Sequence, residues 1–213
     1  MIYNIDIAKK IAKSLLQINA IILQPNDPFK WAAGWNSPIY CDNRKTLSYP
    51  EVRSQIQKNM SEIIRKHYKQ TDIIAGVATA GIPHGALVAD ALKLPFIYVR
   101  SKAKKHGKQN QIEGFFKKGK KVVLIEDLIS SGKSSLEAAT TLRNAGLIVN
   151  GVASIFTYGF ETASINFLKA NSQYTSLCDY NTLLLEAMKQ KYINEKDLSI
   201  LKQWKKDPSN WKK

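Results

Sequence analysis

The chain has 213 residues, of which 44% are hydrophobic, so it can form a packed core, which argues against global disorder. Its 32 Lys and Arg residues against 17 Asp and Glu residues give a formal net charge of +15, which favours an anionic partner such as a polyphosphate or a nucleic acid. Its two cysteines, Cys41 and Cys178, lie far apart without a C-x-x-C pattern, which argues against a disulfide scaffold or a zinc site and favours a reducing compartment.

The N-terminal region predicts an amphipathic helix rather than a signal peptide. Lys9, Lys10 and Lys13 precede SLLQINAIIL (14–23), but this apolar stretch is short, contains polar residues and lacks a convincing cleavage site. No stretch approaches the ~20 apolar residues that a membrane span needs. We therefore expect a soluble, cytoplasmic protein with no membrane partner.

The next segment, FKWAAGWNSPIYCDN (29–43), is turn-rich and aromatic and predicts a short strand or hairpin. Together with the N-terminal helix it is expected to form a small hood, residues 1–45, beside the main sheet. The stretch YPEVRSQIQKNMSEIIRKHY (49–68) then carries apolar residues at helical spacing and predicts a long amphipathic helix.

The central part of the chain predicts strands that alternate with helices. Four short apolar runs fit buried parallel strands, namely IIAGVA (73–78), FIYV (96–99), VVLI (122–125) and IVNGVASIF (148–156). Helical patterns follow the first and the third run. PHGALVADALK (83–93) begins with Pro83, and SSLEAATTLRNAG (134–146) begins with a serine cap and ends at Gly146. This alternation predicts an α/β fold with a parallel sheet.

The C-terminal region from residue 181 predicts helical segments that end in an exposed, basic stretch, WKKDPSNWKK (204–213). We expect a single domain, in which residues 46–180 form the α/β core and residues 181–213 form a helical tail.

The stretch VVLIEDLISSGKSS (122–135) combines two acids with a loop of small polar residues. It matches only the end of a P-loop, because Asp127 stands where the leading glycine is needed. Ligands of open α/β sheets bind beyond the carboxyl ends of the strands, so the strand delivers Glu126 and Asp127 to that edge. We expect residues 128–134 to form a loop that, with the start of the next helix, holds a phosphate.

The two acids favour a ribose 5-phosphate as the ligand of this loop. Carboxylates repel a second phosphate, but they accept hydrogen bonds from vicinal hydroxyls and can also hold Mg²⁺, directly or through water. One ligand satisfies both halves of the motif, with its 5-phosphate in the loop and its 2- and 3-hydroxyls on Glu126 and Asp127. The alternative is an ordinary strand–loop–helix unit with two solvent-facing acids.

The motif VVLIEDLISSGKSS resembles the phosphoribosyl pyrophosphate (PRPP) signature of the type I phosphoribosyltransferases. The resemblance implies their fold, which is a central, mainly parallel sheet flanked by helices, with a small N-terminal hood. It implies Mg²⁺ as the cofactor, held mainly by PRPP, with Asp127 as a candidate ligand through water. It also implies that PRPP contacts the whole motif from the acids onward: Glu126, Asp127, Leu128, Ile129, Ser130, Ser131, Gly132, Lys133 and Ser134.

The polar stretch RSKAKKHGKQNQIEG (100–114) predicts a mobile loop that closes over a leaving group. It resembles the catalytic loop of orotate phosphoribosyltransferases, in which Arg, Lys and His recur at the spacing of Arg100, Lys104 and His106. The resemblance implies that these cations bind PRPP and stabilise charge on the departing pyrophosphate, across the interface of a homodimer. His106 either donates a hydrogen bond as a neutral group or supplies a proton.

A tight turn in GVATAGIPHGALVADAL (76–92), formed by Thr79, Ala80 and Gly81, resembles the pyrophosphate-binding loop of the same family. The resemblance implies that its N–H groups contact PRPP. The alternative is a plain strand-to-helix turn.

The segment SPIYCDNR (37–44) resembles the family's N-terminal segment that lines the base pocket. The resemblance implies that Tyr40 and Cys41 flank orotate and that Ser130 reaches it, with Tyr40 in the core as the alternative. Many relatives carry a lysine where this chain has Ala32, and some carry an orotate-binding arginine where this chain reads FTYGFET (156–162). Arg44 is the candidate replacement for the missing cation.

The resemblance covers most of residues 1–160 and implies an orotate phosphoribosyltransferase of pyrimidine synthesis, with Arg100, Lys104, His106 and Asp127 as catalytic residues. Its substrates would be PRPP and orotate, and its products orotidine 5′-phosphate and pyrophosphate. Two alternatives remain: a phosphoribosyltransferase for another base, and a PRPP-sensing, nucleic-acid-binding regulator on the same fold. The charge of +15 favours the regulator, but the sequence has no helix-turn-helix or winged-helix appendage, so we expect no nucleic-acid partner.

Overall fold

The computed structural model describes residues 1–31, 34–101 and 111–212. In these residues the helices are α1 (Ile5–Gln17), α2 (Pro50–His67), α3 (Gly81–Leu92), α4 (Lys133–Asn144), α5 (Glu161–Lys169), α6 (Tyr180–Lys189) and α7 (Glu195–Lys206), and a 3₁₀ helix spans Asn43–Ser48. The strands are β1 (Ile21–Leu23), β2 (Phe29–Lys30), β3 (Asn36–Ser37), β4 (Ile39–Cys41), β5 (Ile73–Val77), β6 (Phe96–Val99), β7 (Ile112–Glu113), β8 (Lys121–Ile129), β9 (Ile148–Thr157) and β10 (Tyr174–Asp179).

The central sheet has six strands in the order β10-β9-β8-β5-β6-β7. All neighbouring pairs are parallel except β6 and β7, which are antiparallel. This confirms the predicted α/β fold with a mainly parallel sheet. The edge strand β10 was not predicted, because Thr175 and Ser176 interrupt its apolar pattern; the buried Ser176 hydroxyl pairs with that of Ser154 at 2.6 Å.

Helices cover both faces of the sheet. Side chains that alternate along β8 enter two separate cores, Val123 and Ile125 in one and Val122 and Leu124 in the other. The first core also takes buried residues of α1, α2, α3, α6 and α7, and the second takes those of α4 and α5. Burial on both faces explains why the strand sequences are continuously apolar.

The N-terminal helix lies earlier in the chain than predicted. Helix α1 begins after Asn4, whose side chain accepts hydrogen bonds from the backbone N–H groups of Asp6 and Ile7, and it ends at Gln17. The apolar residues Ile21–Leu23, predicted as part of the helix, form β1, which pairs antiparallel with β4. They leave the helix because Asn19 adopts a left-handed conformation with φ of 52°. The predicted hairpin within residues 29–43 is confirmed by the antiparallel pair β2 and β3.

Three other boundaries differ from the sequence prediction. Strand β8 continues past Ile125 to Ile129, because β9 pairs with it along this whole length. Helix α3 begins at Gly81, two residues before Pro83. Helix α4 begins at Lys133 without a side-chain cap, so the predicted serine cap is wrong. Helix α2 spans Pro50–His67, as predicted.

The C-terminal stretch 204–212 is not exposed as predicted, because both of its tryptophans are buried. Trp204 is 0% exposed and Trp211 is 8% exposed. The end of the chain returns to the N-terminal strands, where Lys212 Nζ donates to the Pro25 carbonyl at 3.0 Å. Within the residues described, none of the helices combines the length and the apolar character needed to span a bilayer.

Candidate active site

Three loops meet at the carboxyl edge of the sheet. Strands β8, β5 and β6 are neighbours, so the residues that follow them lie along one edge, as expected for the ligand site of an open α/β sheet. The backbone N–H of Ala78 donates to the Val99 carbonyl at 2.9 Å and ties two of these strand ends together. At Gly81 a Cβ atom would collide with the Ile125 carbonyl oxygen, so only glycine lets the turn of residues 79–81 lie directly against β8.

The loop Ser130–Gly132 leads directly into α4, so its backbone can offer N–H donors to an anion. Gly132 has a φ of 78°, a conformation that favours glycine, and the Asn166 side chain donates to the Ser131 carbonyl at 3.0 Å. The first N–H groups of α4 lack intrahelical carbonyl partners and lie at the positive end of the helix dipole. Leu128 and Ile129 belong to β8 rather than to the predicted loop, so the loop is shorter than the sequence indicated.

The carboxyl groups of Glu126 and Asp127 lie close enough to interact with each other, but their other contacts differ. The Glu126 carboxylate is buried and accepts hydrogen bonds from the hydroxyls of Ser134 and Ser135, at 3.2 Å and 3.1 Å. Burial, together with the neighbouring Asp127 charge, raises the pKa of Glu126 to about 8. In this structure, therefore, Glu126 holds the first turn of α4.

Asp127 lies on the side of the sheet that the N-terminal strands cover. The side chain of the buried Asn43 donates to the Asp127 carbonyl oxygen at 2.7 Å and connects β8 to the segment after β4. Burial raises the pKa of Asp127, and the nearby Arg44 charge opposes this rise. Asp127 is the acid of the motif that is only partly buried, so it is the one that a ligand can reach.

Arg100 lies at the carboxyl end of β6, as predicted. Its guanidinium pairs with Glu113 on β7, with 3.5 Å between Nη1 and Oε1, and its backbone N–H donates to the Gln111 carbonyl. Lys104 and His106, predicted to act with Arg100, lie outside the described residues, as does Ala32.

The predicted base-binding residues lie on β4 and just after it. Tyr40 is 38% exposed and contacts the ring of Phe29, so it is not a core residue. Burial raises the pKa of the Cys41 thiol, which keeps it protonated. Arg44 is mostly exposed and forms a two-pronged ion pair with Asp42, at 2.6 Å and 3.0 Å, so its charge is already compensated.

Two clefts flank the loop Ser130–Gly132, and Ser131 lines both of them. The first cleft, of about 920 Å³, includes Arg100, Ser101, Ser131, Lys133, Ser134 and Asn166. The second cleft, of about 1090 Å³, includes Trp31, Trp35, Ser130, Phe160, Tyr180 and Lys205. The sequence did not indicate the second cleft, because five separate segments of the chain build it. Its only sequence signal was the basic, Trp-rich stretch at residues 204–213.

The described residues hold no group of three His, Cys, Asp or Glu side chains that could form a metal site. The carboxylate of Asp127 is an oxygen donor of the kind that Mg²⁺ prefers. The site therefore fits a magnesium ion whose remaining ligands come from a bound phosphate compound and water.

Comparison with known proteins agrees with this geometry. Residues 46–164 match the phosphoribosyl transferase domain. The orotate phosphoribosyltransferase of Enterococcus faecalis is 53% identical over 207 residues, which cover 97% of this chain and 99% of that protein.

Two solved structures have the same fold. The orotate phosphoribosyltransferase of Aeropyrum pernix superposes with a TM-score of 0.75 at 27% identity, over 86% of this chain and 99% of that one. Leishmania donovani UMP synthase superposes with a TM-score of 0.79 at 26% identity. The superposition covers 93% of this chain but only 42% of that longer protein.

The mainly parallel sheet and the match to the phosphoribosyl transferase domain place the chain in the type I phosphoribosyltransferase class. Within that class, the chain belongs to the orotate phosphoribosyltransferase family. The resemblance found in the sequence is thereby confirmed.

Proposed function

We propose that this orotate phosphoribosyltransferase binds PRPP along the carboxyl edge of the sheet and transfers its phosphoribosyl group to orotate. The observation that carries the proposal is the loop Ser130–Gly132, which opens α4 with Asp127 beside it. This arrangement offers N–H donors to a phosphate and a carboxylate to the adjoining ribose.

PRPP has three parts, and each has a proposed place. The 5-phosphate lies on the N–H groups of residues 130–134, and the ribose hydroxyls lie on Asp127. The pyrophosphate lies on the turn Thr79–Ala80–Gly81 and on Arg100. The sequence assigned a ribose contact to Glu126 as well. The contacts of Glu126 with Ser134 and Ser135 favour an indirect role, in which it positions the phosphate loop.

The proposed reaction breaks the bond between the anomeric carbon and the pyrophosphate oxygen ahead of attack by the orotate ring nitrogen. Positive charge then develops on the ribose and negative charge on the pyrophosphate. Asp127 stabilises the positive charge on the ribose. The negative charge on the pyrophosphate is stabilised by Arg100, together with Lys104 and His106, which lie outside the described residues. Bound Mg²⁺ would neutralise phosphate charge, with Asp127 as its protein contact. No protein nucleophile is required, because catalysis rests on orientation and charge stabilisation.

Orotate is proposed to lie against Ser130 in the second cleft. The sequence also placed Tyr40, Cys41 and Arg44 near orotate, but none of these three lines that cleft. The proposed active form is a homodimer, as the loop 100–114 resembles one that acts across an interface. A cytoplasmic location is proposed as well, and the two free cysteines support it.

The test is a turnover assay with PRPP, Mg²⁺ and orotate, followed by loss of orotate absorbance, with hypoxanthine, adenine and uracil in parallel. We expect turnover with orotate and loss of turnover with EDTA. Asp127→Asn should lower kcat/KM by about 100-fold, since one charge-stabilising contact is typically worth that much.

The matched control is Asp90→Asn, which removes an exposed acid that pairs with Lys93 on the far part of α3. It should leave turnover unchanged. PRPP binding without turnover of any base would contradict the proposal and favour a PRPP-sensing protein instead.

A further inference from the structure

A lysine on the C-terminal helix enters the second cleft. Lys205 Nζ lies 3.5 Å from the position that a Cβ atom on Gly159 would occupy, at the turn after β9. It donates a hydrogen bond to Asn181 Oδ1 at 3.0 Å and lies 5.7 Å from the centre of the Tyr180 ring. Lys205 is half-buried, whereas Lys202 and Lys206 on the same helix are exposed.

The position of Lys205 is set by the residue before it. Trp204 is fully buried and contacts the rings of Trp31, Phe160 and Tyr180, with centroid distances between 5.5 Å and 5.7 Å. This packing anchors the end of α7 against the turn after β9. Lys205 is therefore held at the wall of the second cleft rather than free on the surface.

The charge of Lys205 lacks a direct counter-ion. In the described parts of the chain, no carboxylate forms an ion pair with its Nζ, and Asp179 acts on it only at longer range. Burial lowers the pKa of Lys205, because desolvation disfavours the charged ammonium, and the charge of Asp179 opposes this. A carboxylate bound in the cleft would supply the missing charge and a charge-assisted hydrogen bond.

The rest of the cleft suits a planar ring. Trp31, Trp35 and Phe160 provide aromatic walls, and Ser130 of the phosphate loop provides a hydroxyl at one end. Lys202, Lys206, Glu161 and Asp207 also line the cleft, but Lys205 is the one lysine of the lining that is half-buried. The cleft thus combines flat apolar faces with a half-buried cation, and it is continuous with the loop proposed to bind the sugar phosphate. Arg44, the replacement cation suggested by the sequence, is already paired with Asp42.

We infer that Lys205 is a specificity-determining residue that binds the carboxylate of orotate in the second cleft. This role depends on orotate being the base, as proposed above. Uracil has the same ring without the carboxylate, so Lys205 would favour binding of orotate over binding of uracil.

Steady-state kinetics of Lys205→Ala test this role. We expect the KM for orotate to rise about ten- to a hundred-fold, the range for a lost hydrogen bond to a charged group, with the KM for PRPP unchanged. The preference for orotate over uracil should fall by a similar factor, because uracil gains nothing from Lys205. Lys205→Arg, which keeps the charge, should retain more of the orotate affinity than Lys205→Ala.

The matched control is Lys196→Ala, an exposed lysine on the same helix outside the cleft, which should leave both KM values unchanged. If Lys205→Ala does not fold, Lys205→Gln replaces it, because glutamine can still form the hydrogen bond to Asn181. The preference for orotate over uracil is then compared between Lys205→Gln and the unaltered protein. An unchanged orotate KM, or an equal rise in both KM values, would overturn the role of Lys205. Absence of orotate turnover by the unaltered protein would instead overturn the proposed function.

Discussion

At the scale of single residues, the two adjacent acids of β8 carry the same carboxyl group in different surroundings. Glu126 is 5% exposed and surrounded by the start of α4, whereas Asp127 is partly accessible and faces the N-terminal strands. The two carboxyl groups lie close enough to interact, and the difference between them comes from the hydroxyls of Ser134 and Ser135, which bind Glu126. Asp127 remains partly accessible at the carboxyl edge of the sheet, and Glu126 holds the first turn of α4.

Replacing Glu126 with glutamine should remove a pH dependence of stability. The folded pKa is raised from the ordinary 4.5 to about 8, so the unfolded chain releases this proton first as the pH rises. The contribution of Glu126 to the free energy of unfolding is therefore full below about pH 4.5 and is lost as the pH rises to about 8. Glu126→Gln cannot ionise and should not show this loss.

Urea denaturation at about pH 5 and about pH 8.5 measures the difference. Between the two pH values, the free energy of unfolding of the unaltered protein should fall by at least about 1.4 kcal/mol more than that of Glu126→Gln. This difference corresponds to one unit of pKa shift. Glu137→Gln, an exposed acid on α4, serves as the control and should follow the unaltered protein. A constant difference between the unaltered protein and Glu126→Gln would argue against a raised pKa.

At the scale of elements, the unit of β8, loop and α4 depends on the backbone of Gly132. Alanine there would meet two penalties: a positive φ of 78°, and a Cβ only 2.5 Å from Cε2 of the buried Phe167 on α5. We expect Gly132→Ala to destabilise the protein by about 2–3 kcal/mol and to raise the KM for PRPP. The KM for PRPP should rise because the loop proposed to hold the phosphate must shift.

Gly119 offers a close control for Gly132, since its φ is also 78° but nothing lies within 4 Å of an added Cβ. Gly119→Ala should cost about 1 kcal/mol through φ alone and leave the KM for PRPP unchanged. Equal effects of the two substitutions, measured by urea denaturation and steady-state kinetics, would show that the contact with Phe167 is unimportant.

At the scale of the whole molecule, one aromatic cluster joins the N-terminal strands, the sheet and the C-terminal helix. Trp204 contacts Trp31, Tyr158, Phe160 and Tyr180, which come from three different parts of the chain. Three rings that contact Trp204, those of Trp31, Phe160 and Tyr180, line the second cleft. A change at Trp204 should therefore affect stability and orotate binding together.

Trp204→Ala should destabilise the protein by about 3–5 kcal/mol, because it leaves a cavity at the centre of the cluster. Trp204→Phe should cost less than Trp204→Ala, since it keeps a ring and removes a buried Nε1 that has no hydrogen-bond partner among the described residues. Urea denaturation and the KM for orotate measure the two effects. An exposed, unpacked Trp204, as the sequence suggested, would make both substitutions nearly neutral.

The amino-acid sequence by itself determined the class of fold and the position of the loop between β8 and α4. Both depend on residues that are neighbours in the chain: apolar runs that form β5, β6, β8 and β9, and the contiguous motif 122–135. The family assignment followed for the same reason, because the residues that carry it form short unbroken stretches.

Only the tertiary structure decided the rest. The extension of β8 to Ile129 comes from pairing with β9, and the conversion of Ile21–Leu23 from helix to strand accompanies pairing with β4. The burial of Trp204 and Trp211 and the placement of Lys205 beside Ser130 bring together residues more than 70 positions apart. Local patterns record the preferences of neighbouring residues, but a cleft built from distant segments exists only once the chain has packed.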